Sequence, residues 1–137
     1  MKRTATAVWN GTIKEGKGQL STATGVLKET PYTFNSRFGD GAETNPEELI
    51  AAAHAGCFSM KLSGVLTEAG FTPESIETSC TIGMENLGIK TAHLVVKAKV
   101  PGMDDAQFSE CATDAKENCP VSKALNLSIT MDATLIS

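Results

Sequence analysis

At 137 residues, with 41% hydrophobic and 20% charged, the chain has the size and balance of one ordinary domain able to bury a core. A net charge of −4 and only 5% aromatic residues exclude the basic, base-stacking surface that nucleic acid requires, so no nucleic-acid partner is expected. Two basic residues open the chain without an apolar run behind them, and no segment shows the ~20 consecutive apolar residues that span a bilayer; a cytoplasmic protein with no membrane partner is the expectation.

The first 38 residues predict a β-meander. Residues 3–9 alternate, Asn10-Gly11 signals a type I′ hairpin, and Gly16-Lys17-Gly18 offers a second turn before QLST. The run PYTFNSRF, 31–38, alternates as a third strand with Arg37 on its polar face, and GDGAET, 39–44, is a loop by composition. Asn45-Pro46-Glu47-Glu48 then predicts a helix start, with Asn45 as N-cap, Pro46 in the first position and Glu48 placed to complete a box-like cap. The helix is predicted over 46–69, stopped by Gly70. From Leu49 to Leu66 nearly every face is apolar or small, which describes a helix buried on most sides. One chain of this size has little material to wrap it, so an oligomer whose partner sheets cover the helix is expected.

The remainder, 74–137, predicts ββααβ. Ile76, Thr78, Cys80, Ile82 and Met84 share one strand face, and Ala92, Leu94, Val96, Ala98 and Val100 share the next. Pro101-Gly102 breaks the pattern; a helix from Asp104 to Glu117 follows with Phe108, Cys111, Ala112 and Ala115 inward, NCPVSKAL starts a short helix, and Leu127 to Leu135 close the chain as a strand. With no repeat or linker, 1–137 reads as a single α+β domain of order βββ-α-ββ-α-α-β.

Cysteines 57, 80, 111 and 119 lie far apart without CxxC spacing, which points neither to a metal cluster nor to a disulfide framework. Cys80 and Cys111 fall on apolar faces, where a thiol behaves as a small hydrophobe. Cys119 precedes Pro120 and is the predicted N-cap of the last helix, where free N–H groups lower a thiol pKa. Cys57 lies deep in the long helix, beyond reach of its dipole, and burial there raises its pKa above the free value of ~8.5. Composition alone leaves it an inert core thiol unless a cation approaches. His54 at i−3, Lys61 at i+4 and Arg37 are the basic candidates. A Cys57–His54 dyad for acyl transfer stays open as an alternative, without an oxyanion-hole signature to accompany it, and His93 reads as a solvated strand residue. No phosphate loop, HExxH or paired-carboxylate motif is present.

FNSRF at 34–38, TNPEELIAAAHAGCFSM at 44–60 and CPVSKAL at 119–125 together resemble the osmotically inducible protein C (OsmC) family, close kin of the organic hydroperoxide resistance proteins, with Arg37 placed as in the OsmC branch. Gly56 stands where alanine is more usual, a change that weakens the helix by up to ~1 kcal/mol and marks close packing. The resemblance implies an intertwined homodimer, antiparallel sheets wrapped around two long central helices. It also implies a thiol peroxidase that reduces organic hydroperoxides: Cys57 attacks, Cys119 resolves the sulfenic acid as a Cys57–Cys119 disulfide, and Arg37 with Glu47 activates the thiol. An external dithiol recycles the disulfide; no metal, haem or flavin cofactor is called for. The chemistry is coherent, because a guanidinium beside a thiol favours the thiolate and the leaving alkoxide. Glu47 and Cys57 lie ten positions apart on one helix, about 15 Å at ~1.5 Å per residue, so one arginine hardly bridges both. The economical arrangement takes Arg37 and Glu47 from one chain and Cys57 from the other. The reading from another class is a non-enzymatic dimeric module that binds small apolar ligands or serves as a stress protein.

Overall fold

The computed structural model describes residues 1–136; Ser137, the last residue of the predicted 74–137 segment, lies outside the described residues. The chain forms two compact units, Met1–Leu49 and Ile50–Ser137.

The first unit holds β1 (Ala5–Asn10), β2 (Lys17–Thr22) and β3 (Thr30–Tyr32) in an antiparallel sheet of that order, the predicted meander. Its turns differ from the expectation. Asn10 ends β1 and Gly11 (φ +100°) opens a six-residue loop, 11–16, in which Thr12 accepts Glu15 N–H at its hydroxyl (3.1 Å) and Gly16 N–H at its carbonyl (2.8 Å). That local closure replaces a two-residue hairpin and frees Lys17 and Gly18 to join β2. Gly18 pairs with both Trp9 and Tyr32, whose rings meet 5.5 Å apart over it; any Cβ there would collide with both.

The run FNSRF is a helix, not the predicted third strand: α1 (Phe34–Phe38) follows Thr33, and β3 is only three residues long. The cause is local. Thr33 Oγ1 accepts Ser36 N–H (3.1 Å) while Thr33 N–H donates to Ser36 Oγ (2.8 Å), a reciprocal cap that outweighs a two-residue alternation. Phe34 and Phe38, four apart, meet as tilted rings 5.0 Å apart on one helix side.

Next comes α2 (Pro46–Glu68), capped as predicted: Asn45 Oδ1 accepts Glu48 N–H at 2.8 Å. Glu48 does not close a box with Asn45; its carboxylate instead accepts the Thr44 hydroxyl at 2.7 Å. Gly70 (φ +92°) ends the helix, with Gly70 N–H to Thr67 O and Phe71 N–H to Leu66 O forming a Schellman pair. By length and composition α2 is apolar enough to cross a membrane, which the count of strictly consecutive apolar residues missed because Gly, Ser and His interrupt the run. Within one chain it is not buried on most sides as expected: His54, Phe58, Leu62 and Leu66 are completely buried in the second unit, while Ala53, Gly56, Met60 and Gly64 are exposed.

That unit contains β4 (Ser75–Glu85), β5 (Gly88–Lys99), α3 (Asp105–Asn118), α4 (Pro120–Ala124) and β6 (Ser128–Ile136), the predicted ββααβ. β4 and β5 form a hairpin whose turn residues, Asn86 and Leu87, both have positive φ. β6 runs parallel to β5, so this sheet is mixed and not antiparallel throughout as expected. The reason is topological: α3 and α4 form a crossover that carries the chain back before β6 begins, and strand direction after such a return is invisible to periodicity. Register aligns Ile76, Ala98 and Leu135, and likewise Cys80, Leu94 and Met131, on one face. Against that face pack Phe58, Leu62 and Leu66 of α2 and Phe108, Ala112 and Ala115 of α3, one apolar cluster.

His54 is completely buried here, and burial pulls its pKa below the ordinary 6.5. The folded chain keeps the ring neutral where the unfolded chain binds a proton. Below the unfolded value the unfolded state therefore holds more protons, so stability is lost as pH falls through 6.5 and is regained above it. Urea titrations at about pH 5 and about pH 7.5 are expected to give the lower midpoint at the acid pH, and His54→Gln is expected to narrow that gap. An unchanged gap in the variant would refute the assignment.

Candidate active site

In the first unit the site begins with α1. Ser36 is buried and its hydroxyl reaches Thr33 O (3.0 Å) and Thr44 O (2.9 Å), while Asn45 Nδ2 donates to Ser36 O (3.0 Å). These bonds fix α1 to the entry of α2. Arg37, next to the anchored Ser36, consequently meets Glu47 in the first turn of α2, Nε to Oε1 at 2.6 Å. The guanidinium also lies 5.1 Å above the Phe38 ring. Gly39 and Gly41 both donate their N–H to Asn35 O, which ties the following loop to α1. Glu47 is buried, and its Oε2 has no hydrogen-bond partner among the described residues. Beside this pair opens a pocket of about 450 Å3 lined by Trp9, Ile13, Tyr32, Phe34, Arg37 and Phe38. Its apolar walls and single fixed cation suit a ligand with a hydrocarbon body and a polar end.

In the second unit the thiols come together. Cys119 is the N-cap of α4 as predicted, its Sγ accepting Ser122 N–H at 3.4 Å. The thiols of Cys57 and Cys119, 62 residues apart in sequence, lie within interaction range of each other. Cys57 is only half-buried, yet its pKa is raised, first by desolvation and further by Cys119; the Val121 N–H in α4 pulls the other way without winning. Within the second unit alone Cys57 is thus a poor nucleophile, as the helix position implied. It opens onto a pocket of about 320 Å3 with Met60, Lys61, Gly64, Val65 and Pro120.

His54 does not pair with Cys57. Its Nε2 lies 2.8 Å from Ser122 Oγ and its Nδ1 3.8 Å from Cys80 Sγ, so both nitrogens are engaged elsewhere. Sequence reading missed Ser122 entirely; only its place three residues after the capping Cys119 could have drawn notice. Cys80 and Cys111 are half-buried with pKa values raised chiefly by desolvation. His93 is partly exposed and bonds Thr130 (2.6 Å) and Asp132 (3.1 Å) across β6. Among the described residues no group of His, Cys, Asp and Glu could hold a metal ion.

A family profile described as OsmC-like protein matches residues 39–134. The chain is 48% identical to peroxiredoxin OsmC of Escherichia coli over 135 residues, 96% of this chain and 94% of that protein. It is 35% identical to the organic hydroperoxide resistance protein of Xanthomonas axonopodis pv. citri, over 77% of this chain and 75% of the relative. Among solved structures, the OsmC-like protein of Mycoplasma pneumoniae shares the fold at TM-score 0.77 and 14% identity, covering 100% of this chain and 99% of that one. The organic hydroperoxide resistance protein OhrB of Bacillus subtilis aligns at TM-score 0.67 and 26% identity, over 96% and 98% of the two chains. By the profile match and by near-full-length identity, the chain belongs to the OsmC family, among the cysteine-based peroxidases.

Proposed function

We propose that the protein reduces organic hydroperoxides to alcohols through Cys57, with Cys119 as resolving thiol and Arg37 and Glu47 as the activating pair. The observation that carries this reading is that the Cys57 and Cys119 thiols lie within interaction range of each other at the start of α4. The Cys57 thiolate attacks the O–O bond, the alcohol departs, and the sulfenic acid on Cys57 condenses with Cys119 to a disulfide and water. An external dithiol returns both cysteines to thiols, in a cytoplasmic setting where such reductants act. The apolar pocket beside Arg37 supports a preference for alkyl or aryl hydroperoxides over the inorganic one.

The active unit is a homodimer in which Arg37 and Glu47 of one chain serve Cys57 of the other. Three features support it. Cys57 has a raised pKa within its own unit and needs a cation. Ala53, Gly56, Met60 and Gly64 leave an exposed, uncharged stripe along α2, with open space at both glycines, so within one chain Gly56 does not mark the close packing expected of it. In the first unit only Gly18, Ser36 and Glu47 are buried, while Val8, Ile13 and Val26 stand exposed. On this reading 1–137 is one functional domain, completed by its partner.

One equivalent of cumene hydroperoxide is expected to remove two thiols per chain and yield a 57–119 cross-linked peptide by mass spectrometry. Cys57→Ser should consume no peroxide, and Cys119→Ser should turn over once and stop at a trappable sulfenic acid. Wild-type consumption by Cys57→Ser would sink the proposal.

The sharing of the site between chains has its own test. Arg37→Ala and Cys57→Ser homodimers should each be inactive; unfolded together and refolded, they should regain activity at about a quarter of the sites, because half the random dimers carry one intact site of two. No recovery on mixing would place the whole site within one chain. Met60→Lys, which sets a charge in the α2 stripe, should convert dimer to monomer in light scattering.

A further inference from the structure

We propose that His54 and Ser122 form a buried proton relay for Cys119, accepting the proton its thiol must lose when it condenses with oxidised Cys57. The inference rests on the reading of Cys119 as resolving thiol and adds two positioning residues to it. The contacts form one chain across three elements: Cys80 Sγ to His54 Nδ1 at 3.8 Å, His54 Nε2 to Ser122 Oγ at 2.8 Å, and Ser122 Oγ to Cys119 Sγ at 3.2 Å. His54 and Cys119 are completely buried and Ser122 is 8% exposed, so bulk water is not at hand to take the proton.

In one of the two neutral tautomers of His54 the donors and acceptors run in one direction. Burial keeps the ring neutral, which leaves one nitrogen bearing hydrogen and the other bare. With Nδ1–H facing the Cys80 sulfur, Nε2 accepts the Ser122 hydroxyl, and Ser122 Oγ is left to accept from the Cys119 thiol. The Ser122 N–H already donates to the same sulfur at 3.4 Å and so favours the thiolate as it forms. The titratable groups facing the ring are Cys80 from β4 and, through Ser122, Cys119 ahead of α4; on its own helix Cys57 lies three positions on. Among the described residues no carboxylate or ammonium bonds it.

In the resolving step the Cys119 proton passes to Ser122 Oγ as the Ser122 proton passes to His54 Nε2. The Cys119 thiolate attacks the Cys57 sulfur, the S–S bond forms and the S–O bond breaks. The departing hydroxide is protonated to water and His54 returns to neutral, so one sulfenic acid and one thiol give one disulfide and one water. A buried histidine that never touches the attacking thiol thereby acquires a task, and so does the otherwise unused Cys80, which holds the tautomer.

Stopped-flow oxidation with cumene hydroperoxide separates peroxide loss from cross-link formation. Expected for His54→Gln and Ser122→Ala is unchanged peroxide loss with cross-linking slowed about 100-fold. The cross-linking rate should then climb with pH as free thiolate does, where the wild type levels off near neutrality. Ser122→Thr keeps the hydroxyl and should restore the rate. Equal slowing of both phases, or wild-type cross-linking in the first two variants, would overturn the relay. If the wild type consumes no hydroperoxide the peroxidase reading falls, but diamide still drives the 57–119 link, and its rate in the same variants decides the relay. Without any variant, 15N NMR of the wild-type ring near pH 7 should show hydrogen on Nδ1; hydrogen on Nε2 would reverse the direction of transfer and overturn the proposal.

Discussion

Desolvation holds the Cys57 thiol above its ordinary pKa, and the one nearby group that opposes this, the Val121 N–H, does not offset it. A thiol about twelve residues into a helix gains almost nothing from the helix dipole, which acts over the first turn. A backbone amide dipole is also a weaker partner for a thiolate than a full charge. The second unit brings two thiols into range of each other, and no cation is among the groups that shift Cys57 there. The first unit has the opposite character, with a permanently charged guanidinium already oriented by Glu47 and a buried carboxylate oxygen that has no partner among the described residues. An unpaired buried acceptor costs roughly 1–3 kcal/mol, so a donor to Glu47 Oε2 would be stabilising.

Arg37 is oriented by local structure before any distant contact matters. The Thr33–Ser36 cap makes α1, the Ser36 hydroxyl and Asn45 amide join α1 to α2, and the Nε–Oε1 bond follows. Because Glu47 engages Nε, the terminal nitrogens, which make no hydrogen bond among the described residues, remain for a second acceptor. That division suits an arginine and would not suit a lysine, whose single nitrogen cannot hold two acceptors on opposite sides with fixed geometry.

Much of this was legible in the chain. The Asn45-Pro46 start and Gly70 stop gave α2 within a residue, the alternation in 76–84 and 92–100 gave the inward faces of β4 and β5, and Cys-Pro at 119–120 gave the cap of α4. The failures share a cause. FNSRF alternates well enough for a strand, and only a side-chain cap, Thr33 to Ser36, decides for helix. Asn10-Gly11 is a strong turn pair, yet Thr12 closes a wider loop and the Trp9–Tyr32 rings claim Gly18 for the strand. In each case a hydrogen bond or ring contact overrode periodicity, and periodicity does not encode it. The direction of β6 and the His54–Ser122 pair depend on contacts 68 residues apart, or on how a crossover returns, and have no local signature at all.

Position 119 shows how stability and chemistry pull against each other. An N-cap is best served by an oxygen, and Ser, Thr, Asp or Asn there is worth about 1 kcal/mol over alanine. Sulfur at 3.4 Å from Ser122 N–H is a longer and weaker acceptor than a hydroxyl at the usual ~2.9 Å. A helix as short as α4, five residues opened by Pro120, draws much of its definition from that cap, so the thiol sits where it stabilises least well. Capping does not explain a cysteine there, since a serine would cap better; its place in the apolar cluster favours sulfur over a hydroxyl. What serine cannot do is form a covalent bond to the sulfur of Cys57, which is the task that the proposed resolving step gives to position 119.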